Sequence, residues 1–259
     1  MINVYTVIKL RRKIFLLLIC VAFLLIMSLI AASSPVSLSG RLIPIYKTVT
    51  DEKKLSLSFN CAESADDVEE ILDILDKHDI KATFFPLGIW AQAHPRELEM
   101  IFSRGHEIGN HSYSHADCVS LSRDEIYSEI VKCNKAIEDI TGEVPVLFRC
   151  PSGSYDNKTI EAAHSAGMTV IQWSVDSVDW RNNPPSEIYD RVVPNASSGD
   201  IIQFHTGTVG TAAVLDRIIT DMESEGYAFV PVGELIYSQP YSVNHAGEQI
   251  GIEDKTDKK

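Results

Sequence analysis

Two histidines stand four positions apart in the segment HSYSH, His111 to His115, directly after the short predicted strand HEIGN. Two imidazoles at this spacing can converge on one metal ion, and neutral imidazole suits zinc and other late first-row metals. The spacing alone is a weak signal, because it also occurs in pairs of exposed loop histidines. We predict that His111 and His115 bind a divalent metal, with zinc favoured, against the alternative of two loop histidines.

A third histidine, His205, directly follows the apolar stretch IIQF. Histidine can act as a general acid because its ordinary pKa of about 6.5 allows either protonation state near neutrality. Asp179, just before Trp180, is a carboxylate that could hold such a ring. The alternatives are a buried histidine without a chemical role and an ordinary acidic loop.

Arg149 ends another apolar stretch and begins the loop RCPSGSY. A guanidinium can orient a carboxylate or a carbonyl oxygen, whereas a surface ion pair would contribute little stability. Pro151 and Gly153 are predicted to form a rigid loop beside a groove, with Tyr155 placed to contact sugar.

Each of these polar clusters follows a short predicted strand, and the strands alternate with helical patterns. The predicted strands lie at 55–59, 82–85, 106–110, 146–148, 169–173, 201–204 and 229–232, and the helices at 65–78, 95–103, 122–140, 157–166, 185–192 and 214–225. About seven β–α repeats predict an α/β fold, an irregular (β/α) barrel of parallel strands with helices outside. Active-site residues of such barrels lie at the carboxyl ends of the strands, so the polar clusters are expected to share one face.

The first 32 residues differ from the rest of the chain. Lys9, Arg11, Arg12 and Lys13 precede residues 14–32, which carry no charge and are long enough to span a ~30 Å hydrocarbon core. The positive-inside rule then predicts a single-pass cell-membrane protein with its main domain outside the cytoplasm. Secretion after signal cleavage near Ala32 is the alternative.

The predicted organisation follows from this segment and from composition. It comprises a cytoplasmic head (1–13), a transmembrane helix (14–32), a tether (33–50), the main domain (51–238) and a polar tail (239–259). The net charge of −13 excludes a basic surface for nucleic acid. Neither a phosphate-binding G-x-x-x-x-G-K-[ST] loop nor a G-x-S-x-G nucleophile motif occurs. The four cysteines of the main domain, Cys61, Cys118, Cys133 and Cys150, permit two disulfides or four buried free thiols.

Taken in order, the clusters resemble the motifs of polysaccharide deacetylases of carbohydrate esterase family 4, the NodB-homology domain. Within it, the chain is most similar to the membrane-anchored deacetylases of endospore-forming bacteria. The resemblance covers about residues 54–237 and rests on the segments HEIGNHSYSH, RCPSGSY, WSVDSVDW and FHTG. It implies that His111 and His115 bind the metal, that His205 is catalytic and that Asp179 orients it. The resemblance also assigns Arg149, Pro151 and Gly153 to the family's third motif. It implies that Trp180 contacts the substrate.

The first motif departs from the family pattern, in which an aspartate acts as catalytic base and a second aspartate, where present, binds the metal. The chain has Ser58-Phe59-Asn60-Cys61. The amide of Asn60 cannot accept a proton at neutral pH, although Cys61 could ligate zinc as a thiolate. In the fifth motif, Gln203 replaces a residue that is usually apolar.

The resemblance implies metal-dependent removal of N-acetyl, or O-acetyl, groups from a cell-wall polysaccharide such as peptidoglycan or a chitin-like glycan. In that reaction His205 would protonate the departing amine. Because Asn60 stands at the base position, we expect low activity, with Glu63 as a weaker candidate for a base. The alternative is a membrane-tethered glycan-binding pseudoenzyme that uses the same groove without turnover.

Overall fold

A mostly parallel β-sheet forms the centre of the fold in the computed structural model, which describes residues 40–252. In chain order the strands are β1 (Lys47–Thr48), β2 (Lys54–Cys61), β3 (Thr83–Pro86), β4 (Glu107–Ile108), β5 (Leu147–Phe148), β6 (Thr169–Val170), β7 (Val175–Asp176), β8 (Ile201–His205), β9 (Ala228–Phe229), β10 (Tyr241–Val243) and β11 (Glu248–Gly251). The main sheet has the order β4-β3-β2-β8-β7, with β9 paired to the start of β2, and all of its pairs are parallel.

Strands β5 and β6 form a separate parallel pair. A single bridge, Asn110 to Phe148, connects this pair to the chain beyond β4. The parallel α/β architecture is therefore confirmed, while closure of the strands into one barrel stays a prediction.

The helices alternate with the parallel strands. They are α1 (Val68–Lys77), α2 (Gly88–Ala93), α3 (Pro95–Ser103), α4 (Arg123–Thr141), α5 (Asn157–Ser165), α6 (Pro185–Val192), α7 (Thr211–Ser224) and α8 (Val232–Leu235). The predicted capping box of α4 is present, because the side chains of Ser122 and Glu125 each bond the other's backbone N–H. Helix α2 was not predicted, since its six residues are too few to show a helical period.

Strand β2 is buried along nearly its whole length, and its two faces differ in chemistry. Leu55, Leu57 and Phe59 enter the main hydrophobic core, where Phe59 stacks on the rings of two neighbouring strands. The other face carries Ser56, Ser58 and Asn60, whose side chains are buried and hydrogen-bonded. The alternation that predicts a strand therefore has a polar face that points into the protein rather than to solvent.

A small sheet of β1, β11 and β10 lies where the tether and the polar tail were predicted. Both predictions were wrong for these segments, which fold against the main domain. Gln249 explains the error: its fully buried side chain bonds the backbone N–H and carbonyl of Tyr237. Such polar strands are stabilised by hydrogen bonding to neighbouring strands, which an apolar sequence pattern does not predict.

The predicted head and transmembrane helix, residues 1–13 and 14–32, lie outside the described residues. None of the helices within residues 40–252 is long and apolar enough to cross a membrane. The four cysteines of the main domain are buried free thiols, so the alternative of two disulfides was wrong.

His106, the first residue of the segment HEIGNHSYSH, is a buried histidine. Its Nδ1 accepts a hydrogen bond from the Ala82 N–H, while Nε2 has no partner in the described structure. Burial lowers the pKa of His106 to about 4 from an ordinary 6.5.

We expect acid to destabilise the fold through this residue. Between pH 6.5 and about 4, His106 is protonated in the unfolded chain but not in the folded protein. The free energy of unfolding therefore falls as the pH falls, by about 3 kcal/mol in total. Urea unfolding of the wild type and His106→Asn at pH 7 and pH 4.5 would measure this. The variant should lose less stability between the two pH values, and equal losses would contradict the assignment.

Candidate active site

A cleft of about 390 Å³ opens at the carboxyl ends of the central strands. It is lined by Asn60, Ala62, Glu63, His111, His115, Ser152, Trp173, Asp176, Trp180, Gln203 and His205. The parallel register explains part of this set, because Asn60 on β2 lies opposite His205 on β8. Residues from all five motif clusters therefore meet in one cleft.

His205 and Asp179 form a hydrogen-bonded pair at the floor of the cleft. His205 Nδ1 lies 2.7 Å from Asp179 Oδ1, and the backbone N–H of His205 donates to Oδ2 at 2.8 Å. Thr211 donates a further hydrogen bond to this fully buried carboxylate. Because a carboxylate only accepts, Nδ1 carries the hydrogen, and Nε2 is left facing the cleft. The predicted role of Asp179 in orienting the ring agrees with this geometry.

His111 and His115 approach each other in a tight turn, with ring centroids 5.2 Å apart. His111 Nδ1 donates to the backbone carbonyl of Arg149 at 2.9 Å, which leaves Nε2 available for a ligand. Burial lowers the pKa of His111 well below its ordinary value, and desolvation also lowers that of His115. Both shifts favour the neutral ring, which is the form that binds metals.

The donor set is one group short of an ordinary catalytic zinc site, which has three protein ligands. Within residues 40–252 no three His, Cys, Asp or Glu side chains gather as a metal site. Cys61 does not supply the missing ligand: it is fully buried in the hydrophobic core, and its sulfur lies 3.9 Å from the carbonyl of Phe59. Burial also raises the pKa of this thiol, so the thiolate is disfavoured. The possibility of Cys61 as ligand was wrong because strand alternation turns it away when Asn60 faces the cleft.

Arg149 is fully buried behind the cleft and holds Asn60 in place. Its Nη1 donates to Asn60 Oδ1 at 3.0 Å, and Nη2 donates to Ser58 Oγ at 2.9 Å and to the Gln172 carbonyl at 3.2 Å. The guanidinium lies 4.1 Å from the ring centroid of Phe85. Burial lowers the pKa of Arg149 to about 9, and no carboxylate of the described residues pairs with it within 4 Å.

This arrangement fixes the orientation of the Asn60 amide. With Oδ1 taken by Arg149, Nδ2 points to Gln203 Oε1 at 3.3 Å and to His205 Nε2 at 3.5 Å. Position 60 therefore presents N–H groups to the cleft and to the histidine ring. It offers no proton acceptor at the position where the resemblance described above implies a catalytic base.

The residues predicted to contact substrate differ in how close they lie to the cleft. Trp180 lines the cleft and is half exposed, whereas Pro151 and Gly153 flank the cleft-lining Ser152. Tyr155 is not brought to the cleft: its hydroxyl lies 3.4 Å from that of Tyr46.

Trp173, which sequence reasoning did not single out, also lines the cleft. Its ring lies against Gly153, where an added Cβ would come within 3.0 Å of it. Its place at the end of a predicted strand was the available signal.

Comparison with known proteins places these features in a family. The profile described as polysaccharide deacetylase matches residues 47–171. The uncharacterized protein YlxY of Bacillus subtilis is 37% identical over 74% of this chain and 60% of its own length. The peptidoglycan-N-acetylglucosamine deacetylase PgdA of Listeria monocytogenes is 34% identical over 74% of this chain and 41% of its own length. The chain thus spans less than two thirds of either relative.

A crystal structure of a Bacillus anthracis protein, described as a pseudoenzyme of carbohydrate esterase family 4, is also similar. It is 36% identical, with a TM-score of 0.72 over 74% of this chain and 68% of that one. A mutant of that protein, described as having restored enzymatic activity, matches with the same TM-score. The shared motifs, the shared fold and these identities show that the chain belongs to the polysaccharide deacetylase family.

Proposed function

We propose that the chain binds an acetylated cell-wall polysaccharide in this cleft and removes its N-acetyl groups slowly. The observation that carries the proposal is the Asn60 amide, held between Arg149 and His205 where a carboxylate base would stand. The substrate class is supported by PgdA, whose name gives peptidoglycan N-acetylglucosamine as its substrate. Trp173 and Trp180 provide aromatic surface in the cleft for a sugar ring.

The proposed roles of the side chains follow from their hydrogen bonds. His205, held by Asp179, takes up a proton at Nε2 from solvent and then donates it to the departing amine as the C–N bond of the acetamide breaks. Asn60 cannot take a proton from the attacking water, and its own N–H faces the nitrogen from which His205 must donate. The loss of a positioned base typically costs about 10²–10⁴ in rate, so the reaction is slow rather than absent.

A second candidate is glycan binding without turnover. The same amide at position 60 favours it, as does the similarity to a protein described as a pseudoenzyme. The two candidates share the cleft and differ only in whether acetate is released.

Glycan binding and acetate release, measured on one preparation, test the proposal. The purified full-length chain is titrated with N-acetylglucosamine tetramer and with peptidoglycan fragments in the presence of zinc. We expect binding and slow acetate release, with release lost in His205→Ala. Binding without any acetate would favour the second candidate, and the absence of binding would overturn both.

Metal dependence is part of the proposal, with His111 and His115 as two ligands of a divalent ion, zinc favoured. A bound zinc would supply an activated water and stabilise developing negative charge. Because the site has one ligand fewer than usual, we expect it to bind zinc at least tenfold more weakly than a three-ligand site does.

Zinc content after equilibrium dialysis against a buffer that contains zinc, measured by mass spectrometry, checks the ligands. Replacing both His111 and His115 with alanine should abolish zinc binding, whereas the matched Cys61→Ser variant should retain it. Retention of zinc by the double variant would refute the assignment.

A further inference from the structure

Gln203 occupies a position of the fifth motif where the family usually has an apolar residue, and it contacts the most unusual residue of the site. It lies on β8 opposite Ser58, one pleat away from the pair of Asn60 and His205. Its side chain is only 3% exposed and lines the cleft. Its Oε1 accepts the hydrogen bond from Asn60 Nδ2 at 3.3 Å.

The polarity of this bond is set from the far side of Asn60. Arg149 can only donate, so Asn60 must turn Oδ1 to the guanidinium and Nδ2 to Gln203. Gln203 must in turn present its oxygen. The two amides and the guanidinium form a chain of matched donors and acceptors that ends at His205.

We propose that Gln203 is a positioning residue for position 60, and that it also limits how basic a carboxylate at that position can be. The inference rests on the proposed function. With aspartate at position 60, the amide of Gln203 would rotate and donate its N–H to the carboxylate, as Arg149 already does. Hydrogen bonds to the charged form of a carboxylate stabilise that form and weaken it as a base. An apolar residue at position 203 would leave Arg149 as the donor and the carboxylate more basic.

A double-mutant cycle tests this coupling on the full-length, zinc-supplemented chain. Wild type, Asn60→Asp, Gln203→Leu and the double variant are compared by acetate release from N-acetylglucosamine tetramer, with kcat and KM determined separately. We expect kcat of the double variant to exceed that of Asn60→Asp about tenfold, with KM within twofold. Gln203→Leu alone should give no gain, because no carboxylate is present to benefit. A purely structural role would instead lower activity in both backgrounds.

The outcomes separate this inference from the function on which it rests. An active Asn60→Asp whose kcat is not raised by Gln203→Leu would overturn the role of Gln203 and leave the proposed function standing. Acetate release by the double variant alone would support the role of Gln203 and would favour glycan binding without turnover for the wild type. Inactivity of every variant, with glycan binding retained, would overturn both. If Gln203→Leu fails to fold, Gln203→Met provides the same loss of hydrogen bonding with a more flexible side chain.

Discussion

Replacing Asn60 with aspartate is expected to raise acetate release by about 10²–10⁴ and to raise the melting temperature of the same variant. The rate should rise because a carboxylate can take a proton from the attacking water. Stability should rise because Arg149 is a fully buried cation whose pKa burial lowers to about 9, with an amide rather than a carboxylate at its Nη1. A counter-ion at position 60 compensates this charge, and we expect about 2 kcal/mol from it.

An increase in both quantities is diagnostic, because most substitutions at buried sites destabilise. The rate is measured as kcat/KM for acetate release and the stability by thermal unfolding. Asn60→Ala is the matched control: it also removes the amide but adds no carboxylate, so neither quantity should rise. A destabilised Asn60→Asp, or one no more active than Asn60→Ala, would show that this account of position 60 is wrong.

Replacing Arg149 with leucine is expected to lower the free energy of unfolding by about 3 kcal/mol. The change leaves three buried acceptors, on Asn60, Ser58 and Gln172, without the hydrogen bonds that Arg149 donates. Each loss costs about 1–3 kcal/mol. Removing an uncompensated buried cation recovers part of that cost, which is why the net effect is smaller than the sum.

Urea unfolding at pH 7 measures this loss. Arg217→Leu is the control, since that side chain is 67% exposed on α7 and its replacement should change stability by less than about 1 kcal/mol. Equal effects of the two substitutions would contradict a structural role for Arg149.

The positions of the site residues could be predicted because they depend on a simple rule of parallel sheets. Polar residues at the ends of β2 and β8 must share one edge, so Asn60 and His205 meet. The side of the strand to which a residue points was harder to predict, because Cys61 directly follows Asn60 and yet lies in the hydrophobic core.

Other features escaped sequence reasoning because polar contacts formed across the fold leave no local pattern. The bond from Asn60 to Gln203 joins residues 143 positions apart. The same reason applies to β11, which pairs with β1 and β10 and whose buried Gln249 side chain bonds the backbone of Tyr237. The placement of Trp173 depends on the close approach of Gly153, which composition does not reveal.

The most direct test of the central claim is a single-turnover comparison of wild type and Asn60→Asp, with each protein in excess over the glycan and at a concentration that saturates binding. The cleft is the same in both proteins, so we expect binding of N-acetylglucosamine tetramer to saturate at similar concentrations of the two. The rate of acetate release in that single turnover should be at least about 100-fold lower in the wild type, since only the base differs. Equal single-turnover rates at equal saturation would contradict the claim that the amide of Asn60 limits the rate of the proposed acetate release.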